Sequence, residues 1–107
     1  MNVAHYTYRV TWSPEDQEYV GLCAELPLLS WLSATQEAAL QGIRQLVSEV
    51  VIDLQNQREP VPAPLSEKRY SGEFKVRTLP HVHQALALQA AELKVSLNRL
   101  VNQKLME

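Results

Sequence analysis

Lys75 and Arg77, in the run SGEFKVRTLP, are the residues of this sequence most suited to engaging a polyanion. They alternate with Phe74 and Val76, and period-2 alternation places them with Glu73 on one side of a short, half-buried strand. Taken by themselves they are a solvated strand face. Lys68 and Arg69, just upstream, would add attraction to phosphates without regard to sequence. Carboxylates offer a different chemistry: Glu15, Asp16 and Glu18 fall in one turn, Glu25 at a strand end and Asp53 late in a helix. A metal-dependent nuclease needs such groups to converge on divalent ions, but the turn cluster reads as a solvated loop. His81 and His83 flank Val82 at the start of a helix, so they point apart and make a poor metal pair. Cys23 sits mid-strand with nothing nearby to lower its pKa. No Ser/His/Asp or Cys/His grouping is placed locally. The expectation is therefore a protein that is not an enzyme, with no catalytic residue, metal or cofactor.

The elements that must position Lys75 and Arg77 lie within residues 71–107. After the strand, Pro80 can open a helix where its missing N–H is harmless. Val82, Leu86, Ala90 and Leu93 recur at helical spacing, and Ser96 caps a second helix carrying Leu97, Leu100, Val101 and Leu105. One strand and two short helices cannot bury their own apolar faces, whereas two copies can. Antiparallel pairing of the strands across a two-fold axis would satisfy their edges and let four helices share one core. Phe74, Val76, Leu86 and Leu100 are the expected dimer contacts. The paired ribbon would present Lys75 and Arg77 from each subunit on one face, and such a ribbon fits the major groove of B-DNA.

F-K-V-R, the break at Leu79-Pro80, then V-x-x-A-L-A-x-x-A and V-S-L-N-R-L-V resemble the ribbon-helix-helix family of DNA-binding proteins, over Gly72 to Leu105. The resemblance implies that Glu73, Lys75 and Arg77 read base edges. It also implies that Ser96, with the Leu97 and Asn98 amides opening the second helix, grips a phosphate, which suits a helix N-terminus. Two residues depart from the pattern. Glu73 is acidic at a base-facing position, where it could accept from a cytosine amino group or repel phosphate. The turn Glu92-Leu93-Lys94-Val95 lacks the usual glycine, so another residue, with Lys94 the candidate, must take an unusual backbone conformation to end the first helix.

With 107 residues the chain has room for one ordinary domain or two very small ones, and its 46 % hydrophobic content suits a globular protein. The lone Cys23 excludes an internal disulfide, which fits a reducing cytoplasm. No apolar run approaches the ~20 residues that span a bilayer, and no basic flank precedes an apolar core at the N-terminus. The net charge is −2, but it is unevenly distributed. Residues 1–64 hold three arginines against eight acids, a charge of −5, and residues 65–107 hold seven bases against four acids, a charge of +3. Two modules with oppositely charged partners follow: phosphates for the back and a basic protein for the front.

The front reads β-β-β-α. HYTYRVTW (His5 to Trp12), EYVGLCAE (Glu18 to Glu25) and LLSWL (Leu28 to Leu32) are strand-like, and Ser13-Pro14-Glu15-Asp16 is turn chemistry, so an antiparallel meander is expected. Ser33 or Thr35 caps a helix running to about residue 57, with a capping box available between Ser33 and Gln36. Its broad stripe, from Ala39 to Leu54, should lie on the sheet. Pro60, Pro62 and Pro64 end it and open an extended linker. Trp12 and Trp31 read as core residues, although an exposed Trp31 beside Leu29 would mark a binding surface.

The run YVGLCAELPLLSWLSATQEAALQGI resembles the HicB-like antitoxin domain. Tyr19, Cys23, Glu25, Leu26, Pro27, Ser30, Thr35, Glu37, Ala38 and Leu40 sit on its motif, with Trp31-Leu32-Ser33-Ala34 where a glycine often precedes the helix cap. The resemblance implies a truncated relative of the RNase H fold that lacks that enzyme's active site, a small basic HicA-like ribonuclease toxin as partner, and a C-terminal DNA-binding module. The expected protein is α+β. Residues 1–58 form a toxin-binding domain with unknown toxin contacts, residues 59–70 a proline-rich linker, and residues 71–107 a ribbon-helix-helix dimerisation domain. It would act in the cytoplasm as a homodimer, or as a tetramer if the front sheets pair, on operator DNA and with no membrane. The alternative is a stand-alone ribbon-helix-helix regulator whose front domain serves oligomerisation or ligand sensing. A degenerate nuclease is a third reading.

Overall fold

The structure, a computed structural model, describes residues 2–107. The chain divides into two units, the first ending at Tyr70 and the second spanning Ser71–Glu107. Together they are α+β, with one three-stranded antiparallel sheet and three α-helices.

In the first unit, β1 (Tyr8–Ser13), β2 (Glu18–Cys23) and β3 (Ser30–Ser33) form a meander in the order β1-β2-β3, followed by α1 (Gln36–Asn56). The hairpin between β1 and β2 closes at Ser13, whose hydroxyl donates to Asp16 at 2.9 Å, with Gln17 in the left-handed region at φ 54°. Register pairs Tyr8 with Cys23, Val10 with Gly21 and Trp12 with Tyr19, and on the other side Gly21 with Trp31. These residues therefore share the face that receives α1. Two glycines set that contact. A Cβ on Gly21 would stand 2.5 Å from the Ala39 carbonyl oxygen and 2.8 Å from Ile43 Cγ2, and a Cβ on Gly42 would collide with the Trp31 indole. Ala39, Ile43, Val47 and Val51, one helical turn apart, are the buried stripe of α1, and they close over Tyr6 and Cys23.

Several boundaries differ from those expected from sequence. The first strand begins at Tyr8 rather than His5, because Val3–His5 is a 3-10 turn capped by the Asn2 carboxamide, which accepts from the Ala4 amide at 2.9 Å. The second strand stops at Cys23. Leu28 and Leu29 lie outside the third, since Leu29 N–H turns back to the Leu26 carbonyl. Thr35 is the cap of α1, accepting from Ala38 N–H at 3.1 Å, while Ser33 closes β3 and forms no capping box. The helix ends at Asn56, ahead of the prolines. Arg58 adopts the left-handed conformation there (φ 57°), and Glu59 N–H reaches the Leu54 carbonyl, a Schellman closure.

The proline-rich segment read as a linker is instead a strap on the first unit. Val61 packs against the core, Pro64 is fully buried, and the Tyr6 hydroxyl donates to the Pro62 carbonyl at 2.6 Å. The Glu25 carboxylate accepts from Leu65 N–H at 2.9 Å and from the Thr7 amide and hydroxyl at 2.8 and 3.2 Å. Ser66 donates to the His5 carbonyl, and His5 pairs with Glu67. Extended PPII backbone has no internal hydrogen bonds, so a sheet module offering fixed acceptors and donors can capture it.

Burial by itself would raise the Glu25 carboxyl. The N–H groups of Leu65, Thr7 and Glu25 itself, with the Thr7 hydroxyl, outweigh it and hold the group below its usual value. Its anionic form therefore stabilises the fold above the unfolded pKa, and that contribution is lost as pH falls through the lowered folded value. Glu25→Gln should lower stability by about 1–2 kcal/mol at neutral pH and flatten the acid limb. Denaturant midpoints from pH 7 down to 3 check this; a mutant curve parallel to the native one would refute it.

In the second unit, α2 (Pro80–Leu93) and α3 (Leu97–Leu105) pack together, with Pro80 at the first turn of α2. Lys94 has φ 58° and ψ 40°, and Val95 N–H reaches the Ala90 carbonyl at 3.1 Å. This is a Schellman closure carried by a lysine where glycine avoids Cβ strain. Lys94→Gly should raise stability by about 0.5–1 kcal/mol, read as an upward shift in thermal midpoint. Among the described residues, no helix is long and apolar enough to cross a membrane.

Candidate nucleic-acid interface

The strand expected over residues 73–78 is not a strand in the single chain. The segment is irregular and entirely exposed, and no ladder partner exists for it among the described residues. A strand is made by its partner's hydrogen bonds, and one copy of this unit has none to give. Gly72, at φ 87°, turns the chain into the segment, and Ser71 Oγ accepts from Glu73 N–H at 3.0 Å. Beyond that, residues 72–76 border a groove whose other wall is Asn98, Val101, Asn102 and Leu105 of α3.

Glu73, Lys75 and Arg77 are exposed, and so are the apolar residues between them, Phe74 at 74 % and Val76 at 66 %. Of the other expected dimer contacts, Leu86 is half-buried, and Leu100 is already 3 % exposed within one chain. Leu100 and Ala90 are the buried residues of this unit. Leu79, Leu88, Leu93 and Leu105 are exposed as well.

Ser96 caps α3 as expected, its hydroxyl accepting from Arg99 N–H at 3.0 Å. The Leu97 and Asn98 amides lie ahead of the first intrahelical bond, where helix geometry leaves N–H groups for an anion. The hydroxyl accepts from its own helix and keeps its O–H proton to donate, so a phosphate there would meet that O–H together with the two amides. His81 and His83 are both exposed on the first turn of α2. Among the described residues, no three His, Cys, Asp or Glu side chains converge on a common point. Burial pushes the Cys23 thiol up, making it a poor nucleophile. Sequence reasoning missed the structural role of Glu25; its place beside Pro27 at a strand end gave no sign of a partner forty residues away.

Residues 57–105 match the model of the HicB family. The match covers the strap, the irregular segment and both helices of the second unit, whereas the motif likened to the HicB-like antitoxin domain, Tyr19 to Leu40, lies outside it. No curated protein and no solved structure matches the chain.

Proposed function

We propose that this chain is the antitoxin of a HicAB-like toxin–antitoxin system, with its operator DNA read by paired ribbons of the second unit. The observation that carries this reading is the unpartnered segment 73–77, in which the apolar Phe74 and Val76 are exposed in alternation with the exposed Glu73, Lys75 and Arg77, in a stretch that matches the HicB family. A second copy would supply the missing ladder and cover Phe74 and Val76, giving a ribbon-helix-helix dimer. Lys75 and Arg77 from both copies would then enter the major groove, flanked by phosphates held at the α3 N-termini. The first unit, a truncated RNase H-like fold by resemblance and acidic, would occlude a small basic ribonuclease by steric cover. Neutralisation of that kind needs no chemistry from the antitoxin, and the chain would work in the cytoplasm beside its DNA and toxin.

The test is binding of the full chain to the DNA upstream of its own gene, with the small basic protein encoded beside it added in turn. Sequence-specific binding and stoichiometric capture are expected; loss of either removes the corresponding half of the reading. Arg77→Ala should weaken operator binding by about 1–3 kcal/mol and relax base preference at one position per half-site. A uniform loss across sequences would make Arg77 a phosphate contact.

The groove between the N-terminal turn and α1, lined by Val3, Tyr8, Leu40 and Arg44 among others, favours a second reading. There the protein is a regulator without a toxin, and its first unit senses a small ligand. Absence of any basic protein partner, with DNA binding intact, would select it.

A further inference from the structure

The groove between the N-terminal 3-10 turn and α1 has a volume of about 630 Å³, that of a small-molecule site. Its apolar part is Val3, Tyr8 and Leu40. Val3 and Tyr8 pack against the core, and the Tyr8 hydroxyl donates to the Val3 carbonyl at 2.8 Å, so this wall is preformed. Leu40, 38 % exposed, contributes from α1. The charged part is Glu37 and Arg44, which also line the groove from α1, with Leu40 between them in the helix. Two turns of helix set their backbones about 10 Å apart along its axis. Among the described residues, no carboxylate pairs with Arg44 and no base pairs with Glu37. The Arg44 charge nonetheless reaches the groove wall. Burial raises the Tyr8 phenol most, Cys23 and Glu25 add to that, and Arg44 is the neighbour that draws it back.

We propose that this groove binds a short free peptide as a zwitterion, its ammonium at Glu37, its carboxylate at Arg44 and its apolar side chains on Val3, Tyr8 and Leu40. Charge complementarity selects the class. Residues 1–64 carry −5, so a simple anion drawn to Arg44 is opposed by the unit as a whole and by Glu37 in particular. A simple cation at Glu37 meets Arg44. A molecule with both charges meets neither penalty, and its zero net charge removes the long-range repulsion. Separation sets the length. An extended chain advances ~3.3–3.6 Å per residue, so three residues span the two turns that part Glu37 from Arg44, while a free amino acid reaches only one of them. Cover of the apolar wall supplies affinity that exposed ion pairs alone do not. The inference deepens the ligand-sensing reading and rests on it for a role in regulation, but the binding itself stands on this groove and needs neither DNA nor the second unit.

The experiment is calorimetric titration of the full chain with the tripeptide alanyl-leucyl-alanine, repeated with its N-acetyl and C-amide forms and with free leucine, while amide shifts from two-dimensional NMR locate the contact. Saturable binding is expected, with shifts confined to residues around Val3, Tyr8 and the first turns of α1. Each cap should weaken binding about ten-fold, the size of one lost charge-assisted hydrogen bond, and free leucine should bind more weakly than the tripeptide. Glu37→Gln and Arg44→Gln, both at exposed residues and each checked for native circular dichroism, should cost a similar factor. In Glu37→Gln the acetyl cap should then make no further difference, nor the amide in Arg44→Gln, a pattern that a merely structural effect would not produce. No saturable binding up to millimolar peptide overturns the proposal, as do capped and free peptides binding alike, or shifts elsewhere in the chain. If binding holds but operator affinity is the same with and without the peptide, the site stands and the ligand-sensing reading fails.

Discussion

Phe74→Asp should abolish operator binding and halve the mass of the assembly, while leaving the first unit folded. Phe74 is 74 % exposed in the single chain, so most of its side chain makes no intrachain contact that its loss would remove. It alternates with Lys75 and Arg77 in the sequence, so in the proposed ribbon it would lie opposite them, and covering it means pairing that segment with another. A carboxylate at such a contact must be desolvated without a partner or protonated, and either penalty reaches several kcal/mol. A loss of about 4 kcal/mol corresponds to a thousand-fold weaker association. In the proposed ribbon-helix-helix dimer both ribbons would fill the groove, so DNA binding should fall with the dimer. Anisotropy with labelled operator reads the first effect and sedimentation the second. Specific binding at native affinity by this variant would mean that the ribbon is not the recognition element.

Gly21→Val should have the largest effect on the first unit. Any Cβ at residue 21 meets the Ala39 carbonyl oxygen at 2.5 Å and Ile43 Cγ2 at 2.8 Å. The first is helix backbone and cannot rotate away, so α1 must lift from the sheet. With it go the contacts of Ile43, Val47 and Val51, which are the core. Overpacking alone costs about 1–3 kcal/mol, and displacement of the helix adds cavity terms, so a loss above about 3 kcal/mol is expected. Against the marginal stability of so small a unit this is near unfolding. Thermal unfolding followed by Trp12 and Trp31 fluorescence checks it. DNA binding by the second unit should survive better than stability of the first; an unchanged midpoint would mean that α1 does not rest on β2 as described.

Element identity was legible along the chain because it is a local property. The alternation of HYTYRVTW, the four-residue spacing of Ala39, Ile43, Val47 and Val51, the caps at Thr35 and Ser96, and the glycine-free turn that forces Lys94 left-handed all depend on neighbours within a few residues. The charge division into an acidic front and a basic back needs only counting. Boundaries slipped where a local alternative won, as at Val3–His5, where the Asn2 side chain made a 3-10 turn of the expected start of a strand.

What joins distant residues was not legible. Three prolines in the five residues 60–64 read as a linker, yet Tyr6 and Glu25 fasten that segment from 56 and 40 residues away. Nor could alternation tell that Phe74 to Thr78 would stay unpaired in one chain, since a strand exists only where another edge meets it. The sequence by itself determined the three α-helices, the three-stranded meander and where the charges divide, because propensity, capping and periodicity act over a turn or two of chain. Tertiary structure alone decided that Gly21 is the seat of α1, that residues 59–67 are a strap, and that β3 and the segment 73–77 are left with open edges. Those outcomes depend on which surfaces come to lie opposite one another once the chain has closed its long loops.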